Sequence, residues 1–172
     1  ALYAETYGRS HLNAARTATV KYGLPEWRGS QLQGERLVAC PGCYPTASLL
    51  ALLPVIGMVD YDSIIIDAKS GVSGAGRGLK EGNLFSEAAE GLHAYGVGTH
   101  RHAPEIDQIL TRETGQAAMV SFTPHLIPMN RGMITTSYLR LKPGVSFEDV
   151  KAAYHARYED EAFIYIEPDG TA

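Results

Sequence analysis

The run Ala39-Cys40-Pro41-Gly42-Cys43-Tyr44-Pro45-Thr46, with apolar residues following at Ala47, Leu49, Leu50, Leu52 and Leu53, reads as the end of a strand, a tight loop and then a helix. Pro45 suits the first turn of that helix, where a missing N–H removes no hydrogen bond. Cys43 then sits at or just before the helix N-terminus. Unpaired backbone N–H groups and the positive end of the helix dipole stabilise a thiolate there, which makes Cys43 a candidate nucleophile. The competing reading is a small buried apolar residue, a common fate of a free cysteine.

Working outward, residues 2–22 are expected to be helical, in two pieces divided near Gly8, and 23–35 to form a loop. Residues 36–39 give the short strand that enters the cysteine loop. The helix after Cys43 ends around 54–57. The continuous run Ser63-Ile64-Ile65-Ile66-Asp67-Ala68 has the signature of a buried strand. A glycine-rich loop covers 70–78, a short helix 83–90 and an extended segment 95–102. Pro104 opens a helix with Glu105 and Asp107 in its first turn, as the dipole prefers. Residues 117–123 and 134–141 alternate as strands. Ser146 caps a helix to about Tyr158, with Asp149 completing a capping box, and 163–167 is a last strand. Strands and helices mix without strict βαβ alternation. The expected fold is α+β, with a mixed or antiparallel sheet and helices packed on one face.

Hydrophobic residues at 45% and charged residues at 20% allow a packed core and argue against disorder. A net charge of −4, with no basic stripe, argues against a nucleic-acid binder. The longest apolar stretch, 47–59, is broken by Pro54 and Gly57 and is too short to span a bilayer. Two cysteines three apart make no disulfide framework, so a reducing cytoplasm is the expected setting.

Three other segments place small residues beside basic or imidazole groups. Ser70-Gly71-Val72-Ser73-Gly74-Ala75-Gly76-Arg77-Gly78 offers backbone N–H groups, two hydroxyls and a guanidinium to an anion. It matches neither a Walker A loop nor the G-x-G-x-x-G dinucleotide order, and a structural turn explains it equally well. Thr99-His100-Arg101-His102-Ala103-Pro104 puts two imidazoles before a helix, where one can serve a cysteine nucleophile as acid and base. His-x-His also suits zinc, but no third ligand cluster lies nearby, and capping or surface histidines are the plain alternative. In Phe122-Thr123-Pro124-His125-Leu126-Ile127-Pro128-Met129-Asn130-Arg131-Gly132, the prolines stiffen a connection between strands, and His125 and Arg131 are candidates to reach a ligand, with a rigid surface loop as the plain alternative. Arg131 is the stronger candidate, as a bidentate partner for a carboxylate or phosphate. Cys40-Pro41-Gly42-Cys43 also has the C-x-x-C form of thiol–disulfide exchange proteins, although no thioredoxin-like unit surrounds it.

Together these segments resemble the N-acetyl-gamma-glutamyl-phosphate reductases, relatives of the aspartate-semialdehyde dehydrogenases. The resemblance rests on Tyr22-Gly-Leu-Pro-Glu26, Pro41-Gly-Cys-Tyr-Pro-Thr46, Ser70 to Arg77, His100-Arg-His-x-Pro-Glu-Ile106, and Phe122-Thr-Pro-His-Leu126 continuing to Arg131-Gly132, in order over nearly the whole chain. It implies an NADPH-dependent enzyme of arginine biosynthesis in a homo-oligomer. The Cys43 thiolate attacks the gamma-acyl phosphate of N-acetyl-L-glutamate, phosphate leaves, and hydride reduces the thioester to the semialdehyde. The resemblance gives proton transfer to one of His100 and His102, with His100 favoured. Arg77, Arg101, Arg131 and Ser73 become candidates for the phosphate and the substrate carboxylate. Ser70, Gly71, Gly74 and Gly76 become candidates for the nicotinamide end of NADPH. No metal is implied.

Two departures stand out. Members of the family often carry Asn before Pro-Gly-Cys, where this chain has Cys40. The family also begins with a Rossmann domain, and residues 1–39 contain no dinucleotide glycine loop. The expectation is therefore an excised or truncated portion: 1–39 as the tail of a nucleotide-binding domain and 40–172 as a catalytic and subunit-contact domain that binds NADPH poorly alone. The nearest rival is the same reduction of N-acetyl-aminoadipyl phosphate, one methylene longer, in lysine synthesis. A C-x-x-C redox protein and a non-catalytic assembly module are the rivals from other classes.

Overall fold

A computed structural model describes residues 2–171. Helices α1 (Leu2–Tyr7) and α2 (Ala14–Thr17) form the two pieces expected at the start. Gly8 ends the first with φ +65°, its N–H donating to the carbonyl of Ala4. The helical expectation fails at Lys21–Tyr22, which is strand β1. The loop expected next contains helix α3 (Pro25–Arg28), with Pro25 pre-setting the first turn, and a 3-10 turn at Gly29–Leu32. Strand β2 (Val38–Ala39) lies parallel to β1, pairing Tyr22 with Ala39.

Helix α4 (Cys43–Leu52) follows the cysteine loop and tightens into a 3-10 turn at Leu53–Met58. Its buried positions, Tyr44, Pro45, Ser48, Leu49 and Leu52, fall three or four apart on one face. Next come β3 (Ile65–Ser70), a 3-10 turn at Val72–Ala75, α5 (Phe85–Ala88) and β4 (His93–Ala94). They are followed by α6 (His102–Thr114), β5 (Ser121–Leu126), β6 (Met133–Tyr138) and α7 (Phe147–Tyr158), the last with the expected Ser146–Asp149 capping box.

The main sheet runs β4-β5-β3-β6. β3 is parallel to β5 and antiparallel to β6, and β4 is antiparallel to β5, so the sheet is mixed as expected. Ile66, Ala68 and Phe122 point to one side and are buried with Leu49, Leu52, Ile106 and Leu110 of α4 and α6, and Leu126 on the same side is buried as well. Each of the larger of these side chains, alanine excepted, contributes roughly 1.5–3 kcal/mol on burial. The register sets Ile65, Asp67 and Lys69 beside Ser121, Thr123 and His125 and beside Tyr138, Thr136 and Ile134 on the other side. Among the described residues no helix covers that side: Ile65, Ile134 and Tyr138 are 48%, 62% and 55% exposed. The run 63–68 is thus buried on alternate residues only, because a sheet with one covered face buries every second side chain.

Three expectations change. Residues 95–102 are not extended, because Gly96 and Gly98 turn the chain with φ +58° and +69°, and α6 starts at His102 ahead of Pro104. Pro124 lies inside β5 and not in a connection. Its carbonyl accepts from Tyr95 N–H (3.0 Å), so its missing N–H faces the β4 side, where that strand is only two residues long. Residues 163–167 form no strand: among the described residues no neighbour pairs with them, and Phe163 and Tyr165 stay exposed. On the opposite flank, Glu113 of α6 accepts from Trp27 Nε1 (3.1 Å) and pairs with Arg28, while Arg157 of α7 lies over the Trp27 ring. These contacts anchor the segment before β2 to the helical layer.

Candidate active site

Cys43 is exposed at the first position of α4, and its predecessor Gly42 is the N-cap, extended at φ −66°, ψ 165°. A helix that starts at Cys43 leaves Cys40, also exposed, on the approach from β2 and outside the first turn. Both cysteines are free thiols. The Thr46 N–H and hydroxyl both donate to the Gly42 carbonyl, at 2.9 Å each. The N–H groups of Cys43 and Tyr44 belong to the first turn, where no intrahelical acceptor exists.

The first turn of α6 meets this loop. The His102 ring packs flat against Gly42: a Cβ there would lie 2.8 Å from Cε1 and 2.9 Å from Cδ2 of the imidazole. Glycine before the cysteine is thus the space the imidazole occupies. His102 Nδ1 is buried without a hydrogen-bond partner, and burial, with Arg101 nearby, lowers its pKa from the ordinary histidine value. His100 sits behind it, with ring centres 4.8 Å apart. His100 Nδ1 accepts from the His102 backbone N–H (3.1 Å), capping α6 and placing the imidazole proton on Nε2. Burial, then the charges of His102 and Arg101, hold its pKa at about 4, so it stays neutral at neutral pH. The sequence put both histidines in one extended segment before a helix; the chain instead turns at 96–98, and the two imidazoles have different partners.

Tyr44, one residue after Cys43, is buried among His100, His102 and Phe122, and its hydroxyl is 3.0 Å from that of Tyr95. Burial, then this contact, raises the Tyr44 pKa, so it is a neutral wall of the site. Neither tyrosine stood out in the sequence, because their partners come from separate elements.

The glycine loop differs from the expectation of free donors. Gly71, Val72 and Ser73 donate their N–H groups to the carbonyls of Gly132, Met129 and Asn130, at 2.9, 2.8 and 3.1 Å. Gly74 and Gly76 donate within the loop, to Gly71 and Ser73. Ser70 is buried, and its hydroxyl donates to the Gly71 carbonyl (3.0 Å). An anion therefore finds these amides occupied, and a pyrophosphate cradle is not formed here. What the loop does is dock the 129–132 segment, bringing the Arg131 backbone against Gly71. Arg77 and Arg131 are exposed and form no ion pair among the described residues. Arg101 is directed elsewhere, over the Tyr7 ring of α1 (5.3 Å). His125 lies on the open side of the sheet, 3.3 Å from Asp67, away from Cys43.

Solved structures with this architecture include aspartate semialdehyde dehydrogenase II from Vibrio cholerae, at TM-score 0.62 and 15% identity over 82% of this chain and 50% of that one. The Candida albicans aspartate semialdehyde dehydrogenase with NADP aligns at TM-score 0.54 and 16% identity over 78% and 44%. The fold is that of the semialdehyde dehydrogenases. Residues 43–172 match the family model described as the semialdehyde dehydrogenase dimerisation domain, and the chain belongs to that family. It is 49% identical over 99% of its length to the N-acetyl-gamma-glutamyl-phosphate reductase of Rhodospirillum rubrum, covering 49% of that protein. It is also 49% identical, over 98% of its length, to a probable chloroplastic N-acetyl-gamma-glutamyl-phosphate reductase of Arabidopsis thaliana, covering 42% of it. The chain spans about half the length of the curated relatives it matches. Among the described residues no helix is long and apolar enough to cross a membrane.

Proposed function

We propose that this chain is the catalytic and subunit-contact portion of an NADPH-dependent reductase that converts N-acetyl-L-glutamyl 5-phosphate to the 5-semialdehyde and phosphate in arginine biosynthesis. Residues 40–172 carry the chemistry, and 1–39 close a nucleotide-binding domain. The parallel β1–β2 pair supports that division, since parallel strands belong to larger buried sheets. Two free, exposed cysteines suit a cytoplasmic setting.

The observation that carries the reading is the His102 ring lying against the residue before an exposed Cys43 at the first position of α4. Cys43 Sγ adds to the acyl carbon, its proton passes to His102, and the carbon–oxygen bond to phosphate breaks with its electron pair leaving on phosphate. The product on the protein is a thioester, which a hydride can reduce where a carboxylate cannot be. The first-turn N–H groups of α4, free of intrahelical acceptors, stabilise the charge that the acyl oxygen gains. His102 then holds the proton that this oxygen takes up. His100 supports His102 and does not exchange the proton itself. Arg77, Arg131 and the Ser73 hydroxyl receive the phosphate and the substrate carboxylate. The exposed rim at Gly74 and Gly76 suits contact with a flat ring and not with a charged pyrophosphate, which the nucleotide-binding domain takes. When bound, NADPH supplies the hydride.

The uncovered side of the sheet, with Ile65, Ile134 and Tyr138, receives a second copy in a homo-oligomer. The test is turnover of the intact enzyme, followed as phosphate-dependent oxidation of the semialdehyde with NADP. Cys43→Ser should abolish it. kcat/KM for the glutamyl substrate should exceed that for the aminoadipyl homologue by roughly 10- to 200-fold, the discrimination expected of one methylene. Equal or reversed preference would reassign the substrate, and an active Cys43→Ser enzyme would remove the mechanism.

A further inference from the structure

Glu105 lies in the first turn of α6, three residues after His102 and therefore on the same side of the helix. Its Oε1 accepts two hydrogen bonds from different parts of the chain: the Gly42 backbone N–H at 3.1 Å and the Tyr22 hydroxyl at 2.7 Å. Tyr22 belongs to β1, and Gly42 is the N-cap of α4. One carboxylate thus joins the strand pair, the loop that carries the nucleophile and the helix that carries the imidazole. Gly42 has no side chain of its own to fix the loop, and its carbonyl is already turned into α4 toward Thr46. The Glu105 bond is the contact that holds its N–H side to α6. A general dipole effect does not account for this, since an acidic residue at a helix N-terminus needs no particular partner.

We infer that Glu105 is a positioning residue, which sets the distance between Cys43 and His102 by clamping the Gly42 amide and Tyr22 to the first turn of α6. This rests on the reading of Cys43 as nucleophile and His102 as its acid and base. Glu105 itself touches no reacting atom. Its worth lies in geometry, where a misplacement of about 1 Å costs about 10²-fold in rate. The substrate's own contacts are elsewhere, so the loss falls on kcat and not on KM.

The experiment compares Glu105→Gln, Glu105→Ala, Tyr22→Phe and Cys43→Ser in the intact enzyme, each first checked for a cooperative melting transition. Glu105→Gln keeps an oxygen that accepts from Gly42 and should stay within about threefold of the wild-type kcat. Glu105→Ala should lose 30- to 100-fold in kcat with KM within about twofold, on the order set by misplacement. Should the alanine variant not fold, Tyr22→Phe carries the test: it leaves the carboxylate one anchor short and should lower kcat several-fold at unchanged KM. A folded Glu105→Ala enzyme with near wild-type kcat overturns the inference. So does a glutamine variant as poor as alanine, which would make charge and not position the requirement, and so does a Tyr22→Phe enzyme of unchanged kcat. If Cys43→Ser retains turnover, the covalent reading fails instead, whatever the Glu105 variants do.

Discussion

Replacing Gly42 by Ala tests the contact on which the site is built. Gly42 has φ −66°, a conformation open to any residue, so alanine adds no backbone strain. All of its effect must come from the methyl group. That group would lie 2.8 and 2.9 Å from two ring carbons of His102, and closer still to Nε2. Ordinary carbon contacts are about 3.5–4.0 Å, so the imidazole must retreat by roughly 1 Å. A displacement of that size between reacting groups costs about 10²-fold, equivalent to about 2.7 kcal/mol at 1.36 kcal/mol per decade. The assay is kcat/KM for phosphate-dependent oxidation of the semialdehyde by the intact enzyme. The same substitution made in a His102→Ala background should cost nothing further, because the ring it displaces is gone. An enzyme with Gly42→Ala and near wild-type kcat/KM would refute the reasoning, and so would equal losses with and without His102.

Three other outcomes follow from single features. His100 has a folded-state pKa of about 4, below its unfolded value, so the unfolded chain binds the proton first. Its contribution to stability is present above about pH 6.5 and is lost as pH falls toward 4; His100→Asn, which keeps an acceptor for the His102 N–H, should flatten the fall in Tm over that range. An unchanged slope would count against the buried neutral imidazole. Gly71→Ala places a methyl 2.8 Å from the Met129 carbonyl and 2.9 Å from the Arg131 amide, neither of which can rotate away. It should displace the 129–132 segment and raise the KM for phosphate, and an unchanged KM would remove Arg131 from the phosphate site. Leu49→Ala empties a fully buried position of α4 and should lower stability to urea by about 2–5 kcal/mol. A loss under 1 kcal/mol would mean that the helix does not pack as described.

The parts of this protein legible in its sequence were those with local causes. The α4 start was marked by Pro45 and the apolar run behind it, α7 by its capping box, and β3 by its β-branched residues. Positions depending on a distant partner were not legible. Whether Ile65 was buried depended on which side of the sheet the helices covered, and the strand at 163–167 needed a neighbour that the described residues do not supply. The glycine loop looked like a cradle because its amides could be counted, but not the carbonyls of 129–132 that occupy them. The same holds at the site. Cys43, His100 and His102 were visible as residue types, whereas the separate tasks of the histidines came from a turn at Gly96–Gly98 and from contact across 60 residues with Gly42. Glu105 looked like an ordinary helix-dipole residue, and its two hydrogen-bond partners lie far away in the chain.

The central claim is that Cys43 carries the acyl group. Mass spectrometry of the intact enzyme, mixed briefly with fresh N-acetylglutamyl phosphate without NADPH and quenched in acid, reads this directly. The account predicts an acyl adduct on the peptide containing Cys43, absent in Cys43→Ser and slow to form in His102→Ala. A folded enzyme with reduced thiols that turns over this substrate yet never carries an adduct on Cys43 would contradict it.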